Sequence, residues 1–344
     1  MLPEVLGFCR GVERALEMLD RAVTRCAETD RRVFLLGEII HNPWVNEYFR
    51  RQGVRLLTRE ETNQLDRHVA AGDCAIIPAF GVPLAVRSAL DAIGCEIVDT
   101  SCGDVRHLWR WVEKAAGEGY GVLIFGRSRH DETLVTKSLL AAAGGQYVVV
   151  GSVDETRRFC RFITGDEPEE AFARAFGPEA TNADSPAPFG RLAQVSQTTM
   201  LYDETMAVRE ILGEAFARRF GDTSAQRLLL HPTVCRATQD RQTAAEELCG
   251  RCDLAVVVGG FGSSNTRHLY ELASAHVPAV HIEDAAAIRS ADQIESVDPA
   301  GTHSAVVHNW LPPARPLRVA VLAGASCPET VIGQVLERLA EFLC

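Results

Sequence analysis

Short apolar runs alternate along the chain with stretches in which apolar residues recur every third or fourth position. The first pattern marks strands buried on both faces and the second marks amphipathic helices. Strands are expected over 33–36, 75–77, 122–125, 147–150, 254–258 and 319–322, and helices over 84–93, 108–116, 205–218, 266–275 and 331–342. Such regular alternation predicts an α/β protein built on largely parallel sheets. Two stretches break the rhythm: residues 165–191, rich in Pro, Ala, Glu and Asp, and the proline-rich 298–316. Both read as inserted surface loops without a catalytic role.

Three cysteines fall where an apolar run stops and a helical pattern begins. Cys9 follows Val5-Leu6-Gly7-Phe8, Cys102 follows Ile97-Val98-Asp99-Thr100-Ser101, and Cys235 closes the run from Leu228. After Cys9, for example, Val12, Ala15, Leu16 and Leu19 keep helical spacing. A thiol at a helix start meets the positive end of the helix dipole and unsatisfied N–H groups, which favour the thiolate. Three such thiolates from separate modules suit one soft metal centre with an open coordination place. The competing reading is three buried structural cysteines. The spacing suggests domains at 9–101, 102–212 and 213–326 in a pseudo-threefold arrangement around a shared centre, with 327–344 returning as a closing helix.

Length and composition narrow the function classes. The 344 residues suffice for two or three domains, and 47% hydrophobic with 24% charged residues is ordinary for a globular chain. A formal net charge of −11 argues against nucleic acid and anionic membrane as partners. No secretion signal is visible at the N-terminus, and no apolar run reaches the roughly 18 residues needed to span a bilayer. Eleven cysteines in such a chain point to reduced thiols or metal ligands, and so to the cytoplasm.

Nine pieces, in order, carry a family resemblance. They are Gly7-Phe8-Cys9-Arg10-Gly11-Val12, Gly37-Glu38-Ile39-Ile40-His41-Asn42-Pro43, Ala79-Phe80-Gly81-Val82, Asp99-Thr100-Ser101-Cys102 and His130-Asp131-Glu132. Val195-Ser196-Gln197-Thr198-Thr199, Cys235-Arg236-Ala237-Thr238, Ser263-Ser264-Asn265 and Gly324-Ala325-Ser326 complete the set. Together they resemble the LytB family, the 4-hydroxy-3-methylbut-2-enyl diphosphate reductases of the non-mevalonate isoprenoid pathway. The resemblance implies an iron–sulfur oxidoreductase of three α/β domains around a central 4Fe–4S cluster held by Cys9, Cys102 and Cys235. It implies Glu132 as proton donor, Thr198 as the group that orients the substrate hydroxyl and relays protons, and His130 as a substrate contact. His41, Ser263, Ser264, Asn265 and Ser326 match the family's diphosphate-binding residues. An external one-electron donor, ferredoxin or flavodoxin, is implied as a partner, because no flavin or nicotinamide fingerprint appears.

The residue types suit those roles. Removing a hydroxyl as water requires a proton, and a carboxyl group beside an anionic substrate has a raised pKa. Ser263, Ser264 and Asn265 open a helix after two glycines, where bare N–H groups favour phosphate, although the same residues are also ordinary N-caps. Ser326 with Glu329 fits a capping box as well as a phosphate contact.

Some features depart from the pattern. Phe80 stands where the family has a histidine contacting the diphosphate, and phenylalanine has no donor. Arg10, Arg127, Arg129 and Arg236 are candidates to compensate, or else exposed arginines. Gly103 replaces a common proline. The alternatives are a paralogous reductive dehydroxylase acting on a less phosphorylated substrate, and a non-catalytic cluster-binding sensor. Cys249-Gly250-Arg251-Cys252 has redox-motif spacing but follows a helix instead of opening one, and no motif requires Cys327.

Overall fold

The computed structural model describes residues 1–298, 303–313 and 316–343. The chain divides into two compact units, one of residues 1–56 and 236–344, the other of residues 57–235.

In the first unit Ala279–Ile282, Leu254–Val258 and Val319–Ala323 form a parallel sheet with Leu254–Val258 in the middle. The central strand is five buried residues, Leu-Ala-Val-Val-Val, because helices cover both faces of such a sheet. The faces bury different sets: Val256, Val258, Val321 and Ile282 pack with the helix Glu329–Leu343, while Ala255, Val257 and Leu322 pack with Leu248 and Leu269. Val33–Leu35 and Val54–Leu56 add a parallel pair, and Gln293–Val297 with Ser304–His308 an antiparallel hairpin. The N-terminal helix is Arg10–Ala27.

In the second unit four parallel strands lie in the order Tyr147–Val150, Gly121–Phe125, Leu192–Ser196, Leu228–Leu230. Cys74–Ile77 and Glu96–Asp99 form a further parallel pair. The expected α/β class with parallel sheets is therefore present. Parallel strands occupy three successive stretches, but the middle sheet runs on to Leu230, past the boundary expected at 212, which lies inside the helix Tyr202–Phe220.

Residues 165–191 are not a loop. They contain the short helix Phe172–Phe176 and two 3₁₀ turns, and Phe172 and Phe189 are fully buried among Phe159 and Phe162. Phe189 rests on the bare backbone of Gly121, where a Cβ would lie 2.6 Å from its ring. The composition concealed this because most of the segment's charged residues, such as Glu169, Glu170, Arg174 and Glu179, are exposed. In the second expected loop, Ser304–His308 is a strand paired with Gln293–Val297. Residues 299–302 and 314–315 of that loop lie outside the described residues.

Candidate active site

Each of the three cysteines stands immediately before a helix: Arg10–Ala27, Gly103–Gly117 and Arg236–Cys249. Cys9 and Cys102 are N-caps with extended backbone, and neither side chain caps its helix. The backbone around them repeats. Cys9 N donates to Ala325 O (3.2 Å), Cys102 N to Ala79 O (2.8 Å) and Cys235 N to Thr198 O (2.9 Å). Each acceptor lies two residues past the last residue of a parallel strand, at Ala323, Ile77 and Ser196. Two residues before the cysteine a threonine tightens the arrangement twice: Thr100 Oγ1 donates to Ile77 O (2.6 Å), and Thr233 Oγ1 donates to Ser196 O. At the equivalent place before Cys9 sits Gly7, with φ +73°, where a Cβ would lie 2.8 Å from Glu329. Sequence reading passed over these threonines, although Thr-x-Cys occurs at both positions.

Exposure separates these thiols from the rest. Among the described residues Cys9, Cys102 and Cys235 are partly buried, whereas Cys26, Cys74, Cys95, Cys160, Cys249, Cys252 and Cys327 are buried. Burial pushes Cys327 up to about 12 and Cys249 up to about 11, which makes both poor nucleophiles and poor ligands. The Cys249–Cys252 pair sits at and just beyond the end of its helix, as expected. Within neither unit do the described residues gather three or more His, Cys, Asp or Glu at metal-binding distance. Cys9 belongs to one unit and Cys102 and Cys235 to the other. The donor set of three partly buried, helix-leading thiols fits a soft iron centre.

In the second unit Glu132 and Thr198 meet. Glu132 is 3% exposed on the first turn of the helix Asp131–Ala142. Thr198 reaches it twice, from Oγ1 to Oε2 at 2.6 Å and from N to Oε1 at 2.7 Å. Burial raises the carboxyl to about 7; the two bonds from Thr198 pull it down, and the charge of Asp104 pushes it up further. His130 is the N-cap of the same helix, with Nδ1 accepting from Glu132 N at 3.3 Å, which places the proton of the neutral ring on Nε2.

The first unit gathers the expected anion-binding residues. Ser263 caps the helix Ser264–Ser274 by accepting from Thr266 N, and Ser326 Oγ donates to Ser263 Oγ at 3.3 Å. The capping box expected at Ser326 is absent, because the next helix begins only at Glu329 and its first turn is anchored on Pro328 O. Asn265 donates from Nδ2 to Thr238 Oγ1 at 3.1 Å, leaving Oδ1 buried without a partner among the described residues. The two ends of an amide are interchangeable at this level. With Thr238 donating to the oxygen instead, the NH₂ becomes available to an anion. Ser263, Ser264, Asn265 and Ser326 are all at least nine-tenths buried. His41 is partly buried, with Nδ1 2.9 Å from Glu38 Oε2, a partner the sequence reading did not foresee.

Two of the candidate compensating arginines are engaged elsewhere: Arg129 grips Glu179 through two nitrogens, and Arg236 pairs with Asp240. All four are exposed. Phe80 is partly buried, and Gly81 beside it adopts φ +82° with its Cα against the Trp109 ring, so no side chain fits there.

Known proteins resemble the chain along nearly all of its length. The model of the family described as LytB protein matches residues 1–340. A 4-hydroxy-3-methylbut-2-enyl diphosphate reductase of Synechococcus sp. is 35% identical over 342 residues, covering 98% of this chain and 84% of the relative. The enzyme of that name in Cyanothece sp. is 36% identical over 346 residues, covering 98% and 83%. A solved structure of (E)-4-hydroxy-3-methyl-but-2-enyl diphosphate reductase, the terminal enzyme of the non-mevalonate pathway, aligns with TM-score 0.59 at 26% identity, over 99% of this chain and 98% of that one. The Plasmodium falciparum E-1-hydroxy-2-methyl-but-2-enyl-4-diphosphate reductase shares the fold with TM-score 0.73 at 22% identity, over 99% and 88%. The chain belongs to the LytB protein family.

Proposed function

We propose that the chain reductively dehydroxylates 4-hydroxy-3-methylbut-2-enyl diphosphate, taking up two electrons and two protons and releasing water with isopentenyl or dimethylallyl diphosphate. The buried Glu132–Thr198 pair carries this reading. A carboxyl held near 7 is protonated in about half the molecules at neutral pH and gives up its proton without a large barrier. In the protonated state the 2.6 Å contact reverses, with Glu132 donating to Thr198 Oγ1 and the threonine hydroxyl free to pass its own proton to the departing oxygen. His130, held as the Nε2–H form, is a substrate contact in this scheme. His41, Ser263, Ser264, Asn265 and Ser326 hold the diphosphate.

Cys9, Cys102 and Cys235 are the proposed ligands of a 4Fe–4S cluster. That group supplies single electrons and Lewis acidity at an iron without a protein ligand. A ferredoxin or flavodoxin delivers the electrons in this scheme, and the many cysteines, read as reduced thiols or metal ligands, support a cytoplasmic setting. The repeated cysteine environment supports three related domains.

Phe80 favours a second reading, a dehydroxylase whose substrate lacks one phosphate contact. A mere cluster-binding sensor has no use for a buried proton donor. Anaerobic turnover of the cluster-reconstituted protein with 4-hydroxy-3-methylbut-2-enyl diphosphate and a chemical reductant, beside a Phe80→His variant, tests the choice. Wild-type turnover supports the main reading. An intact cluster spectrum without turnover overturns it, and activity appearing only in Phe80→His supports the second.

A further inference from the structure

The strand Ala279–Ile282 and the residue after it hold the turn that follows the central strand Leu254–Val258. Ile282 O accepts from Gly259 N at 2.9 Å. The imidazole of His281 donates from Nε2 to Gly259 O at 2.9 Å. Two residues on, just past the end of the strand, Glu283 Oε1 accepts from Phe261 N at 3.0 Å. The turn is thus gripped at both ends by side chains of one segment.

His281 is 1% exposed, with its ring edge-on to Phe261 at 5.1 Å and tilted against Tyr270 at 5.6 Å. Burial lowers its pKa to about 4, so the ring is neutral, and the bond to Gly259 O fixes the Nε2–H tautomer. Its Nδ1 is buried without a partner among the described residues. An unpaired buried nitrogen is costly, and a leucine there would avoid that cost. Only the bond to Gly259 distinguishes histidine from an apolar residue at this place.

The gripped turn packs against His41 and carries Ser263, both of the anion site. Gly260 lies so close to His41 that a Cβ there would be 2.5 Å from the His41 carbonyl oxygen. Ser263 N donates to Gly260 O at 2.9 Å, and Ser263 Oγ accepts from Ser326. Gly259 itself, at φ +146°, backs onto Thr266, and Gly324 presses on the same threonine from the loop that ends in Ser326.

We infer that His281 and Glu283 are positioning residues for the diphosphate: by fixing the 259–263 turn they set His41, Ser263 and, through it, Ser326 at phosphate-binding positions. The inference rests on the diphosphate reading proposed above. Glu283 also faces Asp284 and Glu38, the latter being the partner of His41, so its charge opposes an anion while its oxygen holds the turn.

Calorimetric titration of the full chain with inorganic pyrophosphate tests this in wild type, His281→Leu, His281→Gln, Glu283→Ala and Glu283→Gln, with thermal unfolding measured alongside. Losing one grip is expected to weaken pyrophosphate binding about tenfold, the equivalent of one hydrogen bond. The Gln variants keep a donor or an acceptor oxygen and restore binding to within about twofold; Glu283→Gln also binds at least as tightly as wild type because the opposing charge is gone. In the reconstituted enzyme the Leu and Ala variants raise KM in the same proportion and leave kcat unchanged, which a merely structural loss would not do. Wild-type affinity in folded His281→Leu and Glu283→Ala overturns the inference, as does a failure of the Gln variants to restore binding. Should His281→Leu not fold, the Glu283 pair decides by the same criteria. A wild type that ignores pyrophosphate removes the diphosphate reading itself and this inference with it.

Discussion

Glu132 binds its proton more tightly in the folded protein, at about 7, than at its ordinary 4.5. Below pH 4.5 the carboxyl is protonated folded or unfolded, so its stabilising contribution is fully present and does not change with pH. Between 4.5 and 7 the unfolded state ionises first, so stability falls as pH rises, by about 3 kcal/mol once both states are charged. Glu132→Gln removes this slope, and urea unfolding at pH 5 and pH 8 should show the variant gaining on wild type at the higher pH. The same substitution should lower turnover by roughly 10²–10⁴-fold with pyrophosphate binding retained. Thr198→Ala deletes a bond that pulls the carboxyl down. The alkaline limb of its pH–rate profile should therefore move upward while the rate falls; an unmoved limb would separate Thr198 from the titration.

At the scale of elements, the segment 165–191 behaves as core. Phe172→Ala should cost about 3–5 kcal/mol in chemical denaturation, whereas a surface loop would give nearly nothing. The central strands were legible because an apolar run between turn residues leaves few alternatives: Leu254–Val258 and Tyr147–Val150 match the expected spans residue for residue. Phe172 and Phe189 were hidden because neither sits in a run of large apolar residues, and only the fold assembles them around Phe159. The placement of Cys9, Cys102 and Cys235 before helices was legible because an apolar run gives way to helical spacing at each. The supporting bonds of the site were not, since Thr233 to Ser196 and His281 to Gly259 join residues far apart in sequence that nothing local connects. The helix start at Ser326 misled because the Ser-x-x-Glu spacing is present, but Pro328 delays the helix.

For the molecule as a whole the cysteines test the proposed cluster. Replacing Cys9, Cys102 or Cys235 singly by Ser should abolish the visible absorption of the reconstituted cluster. Cys249→Ser, Cys252→Ser and Cys327→Ser should leave it intact. Loss of the chromophore in one of the latter three would mean the ligand set is misassigned. Among the described residues no helix is long and apolar enough to cross a membrane.

Among the described residues, the division of thiols into three partly buried and seven buried has a practical consequence. A buried thiol such as Cys160, pushed up to about 12, meets an alkylating reagent only when the chain opens around it. Cys9, Cys102 and Cys235 meet it as soon as nothing occupies their sulfurs. One mass spectrum taken during alkylation thus holds two clocks: labels on Cys9, Cys102 and Cys235 time the departure of the proposed cluster, and labels on the buried cysteines time the unfolding of the polypeptide.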